Sequence, residues 1–141
     1  MKSAAIDIGT NSVLLLVADT SDGKLRVIHE EQRLPRLGKG VDKERRLSNK
    51  SIGRTIEVLL DYRKTLTDRY PEVDERVYVT ATSAARDASN RNDFLKEAYN
   101  QTGWNIRLLS GDEEAELTFR GALSVIDTDP GNHYLVLDIG G

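Results

Sequence analysis

The chain has 141 residues, 38% of them apolar and 30% charged, with a formal net charge of −3 at pH 7. That balance describes a soluble globular domain and supplies no general attraction to nucleic acid or to an anionic lipid surface. Cysteine is absent and the only histidines are His29 and His133, which excludes disulfides and thiolate zinc sites and argues against a histidine-rich metal centre or a serine–histidine triad.

One domain is expected at this length, burying about two-thirds of its unfolded surface. The opening residues, MKSAAIDIG, hold no apolar signal segment, and the longest apolar run, Val13 to Ala18, is far short of a membrane span. A cytoplasmic protein without membrane contact is the expectation. AAIDI (4–8) and SVLLLVAD (12–19) read as strands, and TSDGK (20–24) carries the Asp-Gly of a tight hairpin turn. LRVIHEEQRL (25–34) alternates only partly, as an exposed edge strand does, so three antiparallel strands open the chain. PRLGKGVDKERR (35–46) is a glycine-containing basic loop.

From Ser48 to about Tyr70 the period changes. Ile52, Ile56, Leu59, Leu60, Arg63 and Leu66 fall at helical spacing, with Ser48 as N-cap and Pro71 beyond the end. RVYVTAT (76–82) is a β-branched strand. NDFLKEAYNQTG (92–103) sets Phe94, Leu95, Ala98 and Tyr99 on one helical face, and Gly103 ends that helix. NIRLLS (105–110) is a strand. Residues 111–126 form a helix with Ala115, Phe119, Ala122, Leu123 and Ile126 inward, and HYLVLDI (133–139) is a last strand. The order is βββ, α, then β-α-β-α-β: a mixed sheet with helices on its faces, the later strands parallel through right-handed crossovers.

Four stretches could carry chemistry. In DIGTNS, Gly9 relaxes the backbone at a strand end, and Thr10, Asn11 and Ser12 add two hydroxyls and an amide. Successive N–H groups in such a turn can cradle an anion, although the same residues also furnish ordinary hairpin turns. In VTATSAARDASN (79–90) a buried strand runs into Thr80, Thr82, Ser83 and Arg86, at the carboxyl end where open α/β sheets bind ligands. Arg86 can clamp a phosphoryl oxygen with its fork of donors, or it can face solvent behind a helix cap at Thr82 or Ser83. In LLSGDEEAEL, Ser110 and Glu113 form a capping box, so Glu113 folds back onto the Ser110 N–H. Successive residues differ by about 100° around a helix, so Glu114 points elsewhere, free to act as general base or simply to favour the helix dipole.

Asp138 leaves its strand as Asp7 does, and Gly140 and Gly141 begin a second flexible turn. The pair suggests phosphate loops facing one another. The basic stretch 36–46, diluted by Asp42 and Glu44, could guide a polyanion or lie in solvent. Trp104, Phe94 and Phe119 read as core or near-core residues, too few and scattered to be base-stacking platforms.

AAIDIGTNSVLLLVAD, RLGKGV…RLS, VTATSAARDASNRNDFL, SGDEEAELTFRGA and LVLDIGG, in this order, resemble the exopolyphosphatase / guanosine pentaphosphate phosphohydrolase family of the actin-like ATPase superfamily. The resemblance implies an α/β, ribonuclease H-like lobe: a mixed five-stranded sheet with helices on both faces. Residues 1–141 would be the first of two lobes around a cleft, ending at the start of the second phosphate loop. It implies that Glu114 is the catalytic base and Arg86 a phosphate-binding residue. It further implies that Gly9, Thr10, Asn11, Ser12, Gly140 and Gly141 bind substrate and that Asp138 belongs to a metal site.

The implied reaction is Mg2+-dependent hydrolysis of a terminal phosphoanhydride, with inorganic polyphosphate as substrate or, alternatively, the guanosine pentaphosphate of the stringent response. A homodimer is implied at full length, with no nucleic-acid polymer as partner and little activity in this lobe alone. A non-catalytic nucleotide-binding module and a kinase or ATPase of the superfamily are the rival readings.

Overall fold

The structure is a computed structural model that describes residues 1–127, 129 and 131–138, apart from the side chains of Asp42 and Lys43. Five strands, β1 (Lys2–Ile8), β2 (Val13–Asp19), β3 (Arg26–Arg33), β4 (Val77–Ala81) and β5 (Ile106–Leu108), form one sheet in the order β3-β2-β1-β4-β5. The first three are antiparallel neighbours, whereas β1–β4 and β4–β5 are parallel. The sheet is therefore mixed, as expected.

Alternation explains which side is covered. Ala4, Ile6 and Ile8 of β1 and Val13, Leu15 and Val17 of β2 are buried, while Ala5 and Asp7 between them are open to the other side. β3 is exposed along nearly its whole length and bears His29, Glu30, Glu31 and Arg33, a charged edge that discourages pairing with another chain.

Two helices cover the apolar side: α2 (Asn49–Arg69) and α4 (Arg91–Thr102), packed against each other. Both belong to crossovers that advance across the sheet in the same direction. Right-handedness therefore places them on the same face. Ser48 caps α2, its hydroxyl accepting from the Ser51 N–H at 3.1 Å. The buried stripe of α2 differs from the expected one. Ser51, Thr55, Ile56, Leu59, Tyr62 and Leu66 are inside, and Leu60 is 38% exposed. Apolar spacing does not mark the polar members of this stripe. They are satisfied locally: Thr55 donates to the Ser51 carbonyl at 2.9 Å, and the Tyr62 hydroxyl donates to the Val13 carbonyl at 2.9 Å. In α4, Phe94 and Ala98 are buried as expected, Tyr99 is not, and Gly103 closes the helix in the left-handed conformation at φ 74°.

The basic loop contains a single-turn helix, α1 (Val41–Glu44), and another, α3 (Ser83–Arg86), follows β4. A last helix, α5 (Gly111–Leu123), lies on the opposite side of the sheet. Its first turn sits near Asp7, and residues 124–127 adjoin the turn between β2 and β3.

Two expectations fail here. None of the apolar residues of α5 is buried; Phe119 and Ile126 remain 38% and 48% exposed. Residues 133–138 form no strand, and Leu135 and Leu137 are 82% and 78% exposed. The reason is common to both. A strand has no internal hydrogen bonds and an apolar stripe has no fixed place until another surface meets it. Among the described residues no element supplies either partner.

Candidate active site

The parallel strands end level with one another: Ile8 is in register with Ala81, and Ala81 with Leu108. Past these ends the chain continues the ladder, with Thr82 donating its N–H to the Ile8 carbonyl at 3.1 Å and Leu109 to that of Ala81 at 3.0 Å. Everything launched from this edge is thereby brought side by side: the loop after β1, helix α3 after β4, and the first turn of α5 after β5.

The loop 9–12 is held from behind by residues 36–38. Gly38 donates to the Thr10 carbonyl at 2.8 Å, Arg36 to the Asn11 carbonyl at 2.9 Å, and Gly9 to the Ser12 carbonyl at 2.9 Å. In a trans peptide the carbonyl and the next N–H point oppositely, so carbonyls turned towards the strap aim the Asn11 and Ser12 N–H groups away from it. That is the orientation an anion cradle requires.

Gly9 is not in the left-handed region, and a Cβ there would meet only the Ser12 carbonyl at an ordinary 3.5 Å. The indispensable glycine is Gly38, where a Cβ would fall 2.4 Å from Thr10 Cγ2 and 3.1 Å from Ala84 Cβ. Sequence reading passed over it, since a glycine in a basic loop carries no mark of a close approach. Thr10 in turn shares a hydrogen bond with Ser83, Oγ1 to Oγ at 3.0 Å, joining the loop to α3.

Arg86, the last residue of α3, points inward rather than into solvent. Its Nη1 donates to the Leu109 carbonyl at 2.8 Å and to Glu114 Oε2 at 3.4 Å, and its Nε faces Asp87 at 3.2 Å. Thr82 caps α3 by position but contributes no side-chain bond.

At α5 the expected capping box is present. The Glu113 carboxylate accepts from the Ser110 N–H at 2.9 Å, and Ser110 Oγ accepts from the Glu113 N–H at 3.2 Å. Arg107 also donates to Glu113. Those bonds hold the Glu113 carboxyl below the usual range, the Ser110 backbone bond first among the causes. Glu114, one residue on, is turned towards Arg86. Their contact is long, and with side chains 28% and 35% exposed it is worth about 0–1 kcal/mol. It orients Glu114 without immobilising it.

Asp7, a strand-end aspartate that the sequence does not mark as a site residue, stands near Glu114 and Asp138. It accepts from Thr80 Oγ1 at 3.1 Å. Although its side chain is partly open to solvent, the surrounding protein raises its carboxyl above the ordinary aspartate value, and the negative charges of Glu114 and Asp138 raise it further. Asp138 and Glu114 also line one cavity of about 550 Å³ between α5 and residues 134–138. The described candidates, residues 9–12, Arg86, Glu114 and Asp138, thus converge on one corner. Gly140 and Gly141 lie outside the described residues.

A carboxylate beside two others is a setting that a divalent cation relieves. Among the described residues no group of three His, Cys, Asp or Glu side chains is assembled closely enough to form a protein-only cage. Mg2+ seldom requires one, since it is commonly held by one or two carboxylates together with waters and substrate phosphates. The donor chemistry of Asp7 and Asp138 fits a shared site of that kind.

The family model of the Ppx/GppA phosphatase family matches residues 16–141. The chain belongs to the Ppx/GppA phosphatase family. It is 42% identical to Exopolyphosphatase 2 of Mycobacterium tuberculosis over 147 aligned positions, covering 98% of this chain and 45% of that protein. It is 37% identical to a bifunctional 3-dehydroquinate synthase/phosphatase of Fusobacterium nucleatum, again over 98% of the chain but only 21% of that protein. A crystal structure of the Aquifex aeolicus Ppx/GppA family member superposes with a TM-score of 0.80 at 34% identity, covering 88% of this chain and 40% of the other. The chain therefore spans less than half the length of each of these proteins, and its sheet with flanking helices is a ribonuclease H-like lobe of the actin-like fold.

Proposed function

We propose that this chain is the first lobe of a two-lobed phosphohydrolase that removes terminal phosphoryl groups from inorganic polyphosphate. The observation that carries the reading is the placement of Glu114. The capping box occupies its neighbour Glu113, while Glu114 itself faces the Arg86 guanidinium beside the loop 9–12. A carboxylate released from structural duty and set next to phosphate donors suits a base for water.

The terminal phosphoryl group is bound by the N–H groups of the loop that turn away from the strap 36–38 and by Arg86, whose donors neutralise charge on the oxygens in the transition state. Glu114 orients a water molecule and accepts its proton as the water oxygen bonds to phosphorus. The bond to the bridging oxygen breaks, and orthophosphate leaves with a polyphosphate shorter by one unit. Bound at Asp7 and Asp138, Mg2+ would neutralise phosphate charge and hold the leaving group. The second lobe closes the cleft and completes the donor set around Gly140 and Gly141.

The exopolyphosphatase name of the M. tuberculosis relative and the arginines and lysines of residues 36–46 favour inorganic polyphosphate over guanosine pentaphosphate. Phosphate release by the two-lobed protein, measured with each substrate and no acceptor, tests the reading. A hydrolase produces orthophosphate with water alone and prefers polyphosphate. No release without an added acceptor would mark a kinase, no release under any condition a binding module, and preference for the nucleotide would reassign the substrate.

A further inference from the structure

A second concentration of positive charge adjoins Arg86 on the side of α1. Val41, Arg45, Arg86, Asp87 and Arg91 line an open cleft of about 480 Å³, within the range of small-ligand sites. The cleft gathers three guanidinium groups against one carboxylate. Arg91 Nη1 is drawn to the Arg86 carbonyl at 2.9 Å, which holds its head group beside α3 although the side chain is exposed.

Arg45 is placed more deliberately. It sits in the left-handed conformation at φ 47°, a region that favours glycine, and both its backbone groups are committed: its N–H donates to Val41 and its carbonyl accepts from Ser89 at 2.8 Å. The Arg45 side chain forms no hydrogen bond or ion pair among the described residues. Three guanidinium groups against one carboxylate leave an excess of positive charge in this cleft that a bridging anion would neutralise.

We propose that Arg45 and Arg91, with the outer face of Arg86, form a second phosphoryl subsite that takes an inner unit of a polyphosphate whose terminal unit lies at Glu114. This rests on the function proposed above. Guanidinium forks match tetrahedral phosphate oxygens, and Arg86 belongs to both places, so a chain with one charge per repeating unit spans them continuously. The basic character of residues 36–46 then has a specific point of action at Arg45.

Calorimetric titration of the two-lobed protein with long-chain inorganic polyphosphate and with orthophosphate tests it. Arg45→Gly suits the left-handed backbone, and Arg91→Ala is tolerated at an exposed helix start, so the double variant should fold; Arg91→Ala alone reports the same direction independently of position 45. The double variant is expected to lose on the order of tenfold in polyphosphate affinity, with orthophosphate binding little changed. Lys64→Ala/Arg120→Ala, which removes equal charge elsewhere, is the control and should bind both ligands as wild type does. Unchanged polyphosphate affinity in the Arg45/Arg91 variant, an equal loss in the control, or an equal loss for orthophosphate would overturn the subsite. Phosphate release is followed in the same samples. Arginine-dependent binding without hydrolysis refutes the hydrolase reading and leaves the subsite standing, whereas hydrolysis with unaltered binding in the variant refutes the subsite alone.

Discussion

Asp7 carries a cost that the other carboxylates of the site increase. Its carboxyl is raised by burial first, then by Glu114 and Asp138. An acid whose folded pKa exceeds its unfolded value destabilises the folded state once ionised. The penalty is full above the folded pKa and disappears below the unfolded one, near 4. Asp7→Asn keeps an acceptor for Thr80 and removes the charge. The variant should melt at a higher temperature than wild type at pH 7, and the gap should close as the pH falls towards about 4. Thermal melts across that range would show it, and an Asp7→Asn protein less stable at pH 7 would contradict the repulsive arrangement. The roles of Glu113 and Glu114 were separable in the sequence because a capping box is local, fixed by residues three apart. Asp7's involvement was not legible there, since it depends on charges 107 and 131 positions away that only the register of β1 with β4 and the turn into α5 bring near.

At the scale of elements, the strap 36–38 makes the loop 9–12 what it is. Gly38→Ala would drive a methyl group into Thr10 Cγ2, so the strap or the loop must shift. An overpacked contact of this kind costs roughly 1–3 kcal/mol. Phosphate release should fall by more than stability accounts for, which comparison of kcat with the denaturant midpoint would reveal. Wild-type turnover in Gly38→Ala would remove the strap from the account.

Tyr62 ties α2 to the sheet in a different way. Its buried hydroxyl donates to Val13 and approaches the Glu31 carbonyl at 3.1 Å, and burial, with the Glu31 charge next, pushes its pKa up to about 12. Tyr62→Phe should lower stability by about 1–2 kcal/mol at neutral pH in urea titrations. The tyrosine's contribution should decline as the pH rises above about 10, where the unfolded chain ionises first. The helix itself was readable from its period and its Ser48 cap. Its true inner face was not, because Ser51, Thr55 and Tyr62 are polar residues made compatible with burial by bonds to particular carbonyls.

The whole molecule divides into a finished side and an open one. The side covered by α2 and α4 has a closed core: Phe94 is fully buried, and Phe94→Ala should cost roughly 3–5 kcal/mol. The side bearing α5 and residues 134–138 leaves Leu117, Leu135 and Leu137 exposed beside the candidate site. The antiparallel opening strands, the parallel later ones and their right-handed crossovers followed from local patterns and general rules, which is why the mixed sheet was legible; the strand order was not. The last strand and the inner face of α5 were not, because an apolar pattern does not say which surface meets it, and here Leu135, Leu137 and Phe119 stay exposed.

On this account the isolated 141-residue chain folds, and it releases phosphate roughly 100-fold or more slowly than a two-lobed protein, for want of half the donors. The most direct measurement compares Glu114→Gln with Glu113→Gln in the two-lobed protein, recording phosphate release, polyphosphate binding and thermal stability for each. The account predicts that Glu114→Gln loses roughly 100-fold or more in kcat with binding and folding intact. Glu113→Gln, whose amide oxygen still accepts from the Ser110 N–H, should turn over near the wild-type rate and lose little stability. Near-normal turnover by Glu114→Gln, or equal losses in the two variants, would contradict it.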